Sequence, residues 1–180
     1  GEEPDPLFWG FELGDGTSYG IPGWGNEERQ LYTKHSAGTD GSSLLRIRAQ
    51  RVSVSPKEFA AGESEDLSCY YGPCAEWTSA RLSTRDRVQF QFGRIEIRAR
   101  FPFGRGTWPA LWMLGGDIGQ VGWPSCGEID IAEGRGKDPY TVFGTIHGPG
   151  YCAEAGISSR IDLDNEVAAD FHTFAIEWLP

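Results

Sequence analysis

Gly127-Glu128-Ile129-Asp130-Ile131-Ala132-Glu133-Gly134 is the stretch on which the reading of this 180-residue chain turns. Three carboxylates fall there inside what otherwise reads as a buried strand. Successive strand side chains point to opposite faces, so Glu128 and Asp130 share one face while Ile129 and Ile131 fill the other. Strict alternation would place Ala132 with the acids and Glu133 in the core, where a lone carboxylate costs on the order of several kcal/mol. One extra residue near Ile131 or Ala132, a β-bulge, turns Glu133 back to the acid face. The sequence therefore predicts a bulged strand with three acids in one row.

With one residue absorbed by the bulge, Glu128 and Glu133 lie about four strand steps apart, roughly 13 Å between Cα atoms at about 3.3 Å per step. Two Glu side chains leaning together close that to the roughly 5 to 5.5 Å at which one carboxylate attacks a sugar carbon and the other shuttles a proton. Asp130, between them, can hold one by a hydrogen bond, and its charge helps keep a neighbour protonated. A solvated strand face, or oxygen ligands for a divalent cation, would use the same residue types. The rest of the chain bears on the choice.

Twenty-five glycines, eleven prolines and 13% aromatic residues, with short apolar runs between turn residues, favour an all-β class. A hydrophobic content of 39% is enough for one sizeable core, and the length fits a single domain over 1–180. No stretch is long and apolar enough to span a membrane. A net charge of −10 and a pI near 4.7 argue against nucleic acid or an anionic membrane as partner, because both require clustered Lys and Arg. A neutral polymer is compatible with that charge. Four cysteines, Cys69, Cys74, Cys126 and Cys152, allow three pairings if all are oxidised. Cys69 and Cys74 bracket a turn and could close a small loop or stay free, and Cys126 could pair with Cys152 or remain a buried thiol. None has zinc spacing. No charged-then-apolar leader precedes the first strand.

Taken in order, residues 7–13 read as a short strand, and a Gly-rich turn leads into Trp24-Gly25-Asn26, itself a turn signal. Residues 44–52 alternate with Leu45, Ile47 and Ala49 inward and Arg46, Arg48 and Gln50 outward, as in a half-exposed antiparallel strand. The polar segment 53–76 reads as a long surface loop. Strands return at 78–84 and 89–93, and the cleanest alternation follows in Arg94-Ile95-Glu96-Ile97-Arg98-Ala99. Its charged face suits cross-strand ion pairs, Arg94 included. Trp108 and Trp112, in Gly106-Thr107-Trp108-Pro109-Ala110-Leu111-Trp112-Met113-Leu114, and Trp123 offer flat faces with an N–H handle, suited to sugar rings and equally to a core. Residues 140–151 form a strand with His147 near its end, and residues 171–178 a last one with Phe174, Ile176 and Trp178 inward.

The bulged E-x-D-x-x-E core, preceded by Trp123-Pro124-x-Cys126-Gly127, resembles the active-site strand of glycoside hydrolase family 16 in its laminarinase branch. W-G-N-x-E-x-Q-x-Y at 24–32, S-A-R-L-x-T at 79–84, F-G-R-x-E-x-R at 92–98, the W-P-A-x-W-M-L run at 108–114 and H-G-P-G-Y at 147–151 resemble the same family. The resemblance implies a jelly-roll β-sandwich of two curved antiparallel sheets, concanavalin A-like, with an open cleft. It implies retaining endo-hydrolysis of β-1,3-glucan, with Glu128 as nucleophile, Glu133 as general acid/base and Asp130 assisting. It places Trp123, Trp108, His147 and Asn26 at the substrate, leaves Trp112 and Trp24 between platform and packing, and lets Arg94 reach a sugar. His147 would hydrogen-bond substrate or the acid/base.

The same resemblance implies no catalytic cofactor, a structural calcium in many members, a secreted monomer, and a polysaccharide partner. Family members usually begin with a further strand and continue past the Glu177-Trp178-x-Pro180 seen here, so the expectation is an incomplete sandwich with unpaired edges. A glucan-recognition protein on the same scaffold remains the alternative, as does the same chemistry on mixed-linkage glucan, agarose or carrageenan.

Overall fold

A computed structural model describes residues 3–51 and 76–180. The expected surface loop, with Cys69 and Cys74, lies outside the described residues except for Glu76. The chain divides into two compact units, Gly1–Gln89 and Phe90–Pro180. Each is built from strands joined by turns and short helical turns.

In the first unit, β1 (Gly10–Glu12), β2 (Gln30–Tyr32), β3 (Ala37–Thr39), β4 (Leu45–Ile47), β5 (Gln50–Arg51), β6 (Trp77–Ser79) and β7 (Arg81–Ser83) are all short. β1 pairs with β7, β3 with β4, and β6 lies between β2 and β5. The β2–β6 pair is parallel, so the expectation of purely antiparallel sheets does not hold there. Residues 44–52 divide between two strands and two sheets. Leu45 and Ile47 are 43% and 52% exposed, so the inward assignment for that segment is wrong. Alternation shows which side chains share a face, but whether a second layer covers that face depends on residues far away in sequence. Trp24, by contrast, is buried. It donates to the Gly14 carbonyl, packs between the rings of Tyr19 and Tyr32, and lies under the Arg81 guanidinium. It is therefore packing, not a platform.

In the second unit, β8 (Gly93–Ala99) pairs with β13 (His172–Trp178), while β9 (Ala110–Leu114), β10 (Glu128–Gly134), β11 (Thr141–His147) and β12 (Ile157–Asp162) form a sheet in the order β12-β11-β10-β9. All of these pairs are antiparallel. A four-residue helix, α1 (Ile118–Val121), joins β9 to β10. Residues 89–92 carry no strand, and Phe90 and Phe92 are exposed, so the strand expected there begins only at Gly93.

The two sheets of this unit meet through a small core. Phe101, Ala132, Val142 and Val167 are buried, with Ala99, Leu111, Leu163 and Phe174 packed around them. Phe101 and Phe174 stack with ring centroids 4.8 Å apart. Leu111, Ala132 and Val142 come from β9, β10 and β11, so the four-stranded sheet turns this face inward and the acids to the other. On β8, Arg94 pairs with Glu96 and with Glu177 directly across on β13, as its alternation suggested.

Candidate active site

The register of β10 with its two neighbours locates the bulge. Toward β9, Asp130 faces Trp112 and Ala132 faces Leu111, so two steps on β10 match one on β9. Toward β11, Asp130 faces Thr145 and Glu133 faces Phe143, three steps against two. One residue of the Ile131-Ala132 pair is therefore extra, and both of these side chains are buried. Directly opposed residues share a face. Glu128 opposes Leu114 and His147, Asp130 opposes Trp112 and Thr145, and Glu133 opposes Ala110 and Phe143. Because Ala110, Trp112 and Leu114 alternate regularly on β9, and Phe143, Thr145 and His147 on β11, the three acids stand on one face.

The environments of the acids differ. Asp130, at the centre, is buried, while Glu128 and Glu133 are partly open. Burial first, then the neighbouring charges of Glu128 and Glu133 and a hydrogen bond with Glu128, push the Asp130 carboxyl up to about 8. At neutral pH Asp130 thus carries a proton, which it can donate to Glu128. From its place across from Glu128, His147 puts Nε2 3.3 Å from Asp130 Oδ2, while His147 Nδ1 is buried without a hydrogen-bond partner. His147 therefore meets Asp130 rather than Glu133, the acid/base that the resemblance implied. Its ring centroid lies 6.2 Å from that of Trp123.

Each glutamate also has a tryptophan. Trp123 Nε1 donates to Glu128 Oε2 at 2.6 Å, and Trp108 Nε1 donates to Glu133 Oε1 at 2.8 Å. Both indoles are about half exposed, 50% for Trp108 and 46% for Trp123. Trp112, opposite Asp130 on the acid face, is half-buried.

Of the remaining expected site residues, Asn26 lies in the first unit, at the end of a tight turn with its amide directed at Glu28 3.5 Å away, in keeping with its reading as a turn residue. Arg94 is occupied in ion pairs on β8. Cys126 and Cys152 are both unpaired, so neither forms the bridge that the sequence left open. Among the described residues no group of three His, Cys, Asp or Glu side chains is gathered to hold a metal ion.

Several residues on the acid face were not singled out in the sequence. Phe143 faces Glu133 and carries the Arg135 guanidinium 4.4 Å from its ring centroid. Thr145 and Ser158 share a hydrogen bond of 3.0 Å beside Asp130. Once His147 is put on the acid face, the alternation of residues 141–147 assigns Phe143 and Thr145 to it as well, so the signal was present.

Residues 26–180 match the glycosyl hydrolases family 16, and the chain belongs to that family. It is 40% identical over 185 residues to a beta-glucanase of Rhodothermus marinus, a match covering 98% of this chain and 55% of that protein. It is 36% identical over 175 residues to a glucan endo-1,3-beta-glucosidase of Cryptopygus antarcticus, across 96% of this chain and 57% of the relative. The structure is similar to the catalytic domain of an endo-1,3-beta-glucanase (laminarinase) from Thermotoga petrophila, with a TM-score of 0.85 and 45% identity, covering 99% of this chain and 66% of that one. The fold class is the all-β jelly roll of the laminarinases, and the chain spans little more than half the length of these curated relatives.

Proposed function

We propose that the protein is a glycoside hydrolase that cleaves internal linkages of β-1,3-glucan with retention of configuration. The observation that carries this reading is the placement of Glu128 and Glu133 on one sheet face with the buried Asp130 between them. Glu128 attacks the anomeric carbon while Glu133 gives its proton to the departing glycosidic oxygen, so one C–O bond forms as the other breaks. Glu133, now a carboxylate, takes a proton from water, and that water's oxygen displaces Glu128 from the sugar. Asp130 steadies Glu128 as a donor and adds no negative charge of its own while protonated. No cofactor enters either step.

The substrate is a laminarin-type polysaccharide, and a polymer of that size supports a secreted enzyme. One copy of the chain carries both glutamates, which supports a monomer as the catalytic unit, whether or not copies associate through another face. The half-exposed indoles of Trp108 and Trp123 suit sugar rings, and the net charge of −10 suits a neutral polymer.

Release of reducing ends from laminarin, mixed-linkage glucan, agarose and carrageenan tests the assignment. Laminarin should be cleaved fastest by the parent, and Glu128→Gln should lose roughly three orders of magnitude or more, as expected when the covalent step is removed. Equal rates for parent and variant would remove the enzyme assignment, and binding of laminarin without cleavage by either would leave a glucan-binding protein instead.

A further inference from the structure

Each of the two glutamates is gripped by a different indole, and each indole is mounted by backbone hydrogen bonds near the end of β10 that carries its glutamate. Trp108 is flanked by Thr107 and Pro109. The Thr107 carbonyl accepts from Gly136 N–H at 2.9 Å, and the Pro109 carbonyl accepts from Gly134 N–H at 2.9 Å. Gly134 directly follows Glu133, so Trp108 is tied to the strand segment that presents the acid it holds. Gly136 has no room for a side chain: a Cβ there would lie 2.0 Å from the Gly104 carbonyl oxygen and 2.1 Å from Thr107 Oγ1. Trp123 sits in the turn before Glu128. That turn is fixed by Cys126 N–H donating to the Gly122 carbonyl at 2.9 Å and Gly127 N–H donating to the Pro124 carbonyl at 3.0 Å.

An indole N–H donates and cannot accept. Where it engages one carboxyl oxygen, it favours a proton on the other, because the carbonyl oxygen is a better acceptor than the hydroxyl. For Glu133 the held oxygen is Oε1, which favours Oε2 as the carrier of the proton that is transferred. For Glu128 the held oxygen is Oε2, and the bond fixes the plane in which the carboxylate attacks.

We infer that Trp108 and Trp123 are positioning residues as well as sugar platforms: Trp108 orients the acid/base Glu133 and favours its proton on one oxygen, and Trp123 orients the nucleophile Glu128. This rests on the glycosidase reading above. A plain sugar platform would act on substrate affinity, whereas a positioning residue acts on the step served by the group it holds.

Two measurements test the inference, the first without any turnover. In ¹H–¹⁵N spectra of the folded chain, Glu133→Gln should move the indole N–H resonance of Trp108 and leave that of Trp123, and Glu128→Gln should do the reverse. Indole resonances indifferent to both substitutions would overturn the proposal. The second compares Trp108→Phe and Trp123→Phe, which keep a flat ring and lose the N–H. Their kcat/KM is measured on laminarin and on a β-glucoside with a dinitrophenolate leaving group, which needs no proton to depart.

Trp108→Phe should lose about tenfold to a hundredfold on laminarin, the scale of an ångström-sized misplacement. It should stay within about twofold of the parent on the activated glucoside, as a defect confined to proton donation requires. Trp123→Phe should lose the same factor on both substrates. A rise in KM with kcat kept in both variants, or equal losses for Trp108→Phe on the two substrates, would overturn it. A parent that turns over no glycan would remove the glycosidase reading, and the spectra alone would then decide the pairing.

Discussion

Asp130 is a carboxyl in a place that suits a neutral side chain. Its folded-state value of about 8 lies above the ordinary 3.8, so between those two values the folded protein holds a proton that the unfolded chain has released. Stability from this group is therefore full at acid pH and declines as pH rises from about 4 to about 8. Asp130→Asn keeps a donor toward Glu128 and has no proton to lose. Urea unfolding of parent and variant across this range should show the difference moving in the variant's favour as pH rises, and parallel stability curves would contradict the assignment. His147 gives a second test at this scale. A Cβ on Gly156 would come 2.4 Å from His147 Cε1 and 2.5 Å from its Nδ1, so the imidazole must shift from the position in which its Nε2 meets Asp130. Gly156→Ala should keep the fold, as judged by far-UV circular dichroism, and lose about tenfold or more in turnover through displaced site geometry. Unchanged turnover would show that the His147–Asp130 contact is idle.

At the scale of the strand, the bulge decides where Glu133 points. Deleting Ala132 leaves Glu-x-Asp-x-Glu, which alternation alone keeps on the acid face, and the neighbouring strands already count one residue fewer. Inserting one alanine after Ala132 instead sends Glu133 toward the face lined by Val142 and Leu111. The deletion should retain the fold and measurable turnover. The insertion should lose about a thousandfold or more, because Glu133, the proposed acid/base, leaves the site, with reducing-end release as the readout. The same strand shows what the sequence made legible. The cost of burying Glu133 was enough to place the bulge, and alternation in residues 94–99 was enough to give β8 and its ion pairs. Leu45 and Ile47 misled because burial depends on a covering layer that local pattern does not report. Parallel pairing of β2 with β6 was hidden for a similar reason, since strands this short carry little pattern and their partners are distant in sequence. The bonds from Trp108 and Trp123 needed coordinates, because spacing alone cannot tell an indole that faces a sugar from one that also donates to a carboxylate.

At the scale of the whole molecule, the reverse face of the four-stranded sheet is only partly covered. Ile146, Ile157 and Ile161, on β11 and β12, are 42%, 60% and 66% exposed, while Val142 beside them is buried. An apolar surface of this kind favours association. The 180-residue chain should bind a hydrophobic dye and sediment with a concentration-dependent mass, and Ile157→Lys with Ile161→Lys should reduce both while leaving the acid face intact. A dye-indifferent monomer at all concentrations would contradict this. The central claim is that one kinked strand sets Glu128 and Glu133 to work as a double-displacement pair on a single groove. Proton NMR of the reducing end formed in the first moments of laminarin hydrolysis tests it most directly. Two successive inversions predict that the β-anomer appears first and the α-anomer grows in only as the product mutarotates; an α-anomer formed first would mean a single displacement by water and would contradict the assignment of Glu128 as nucleophile.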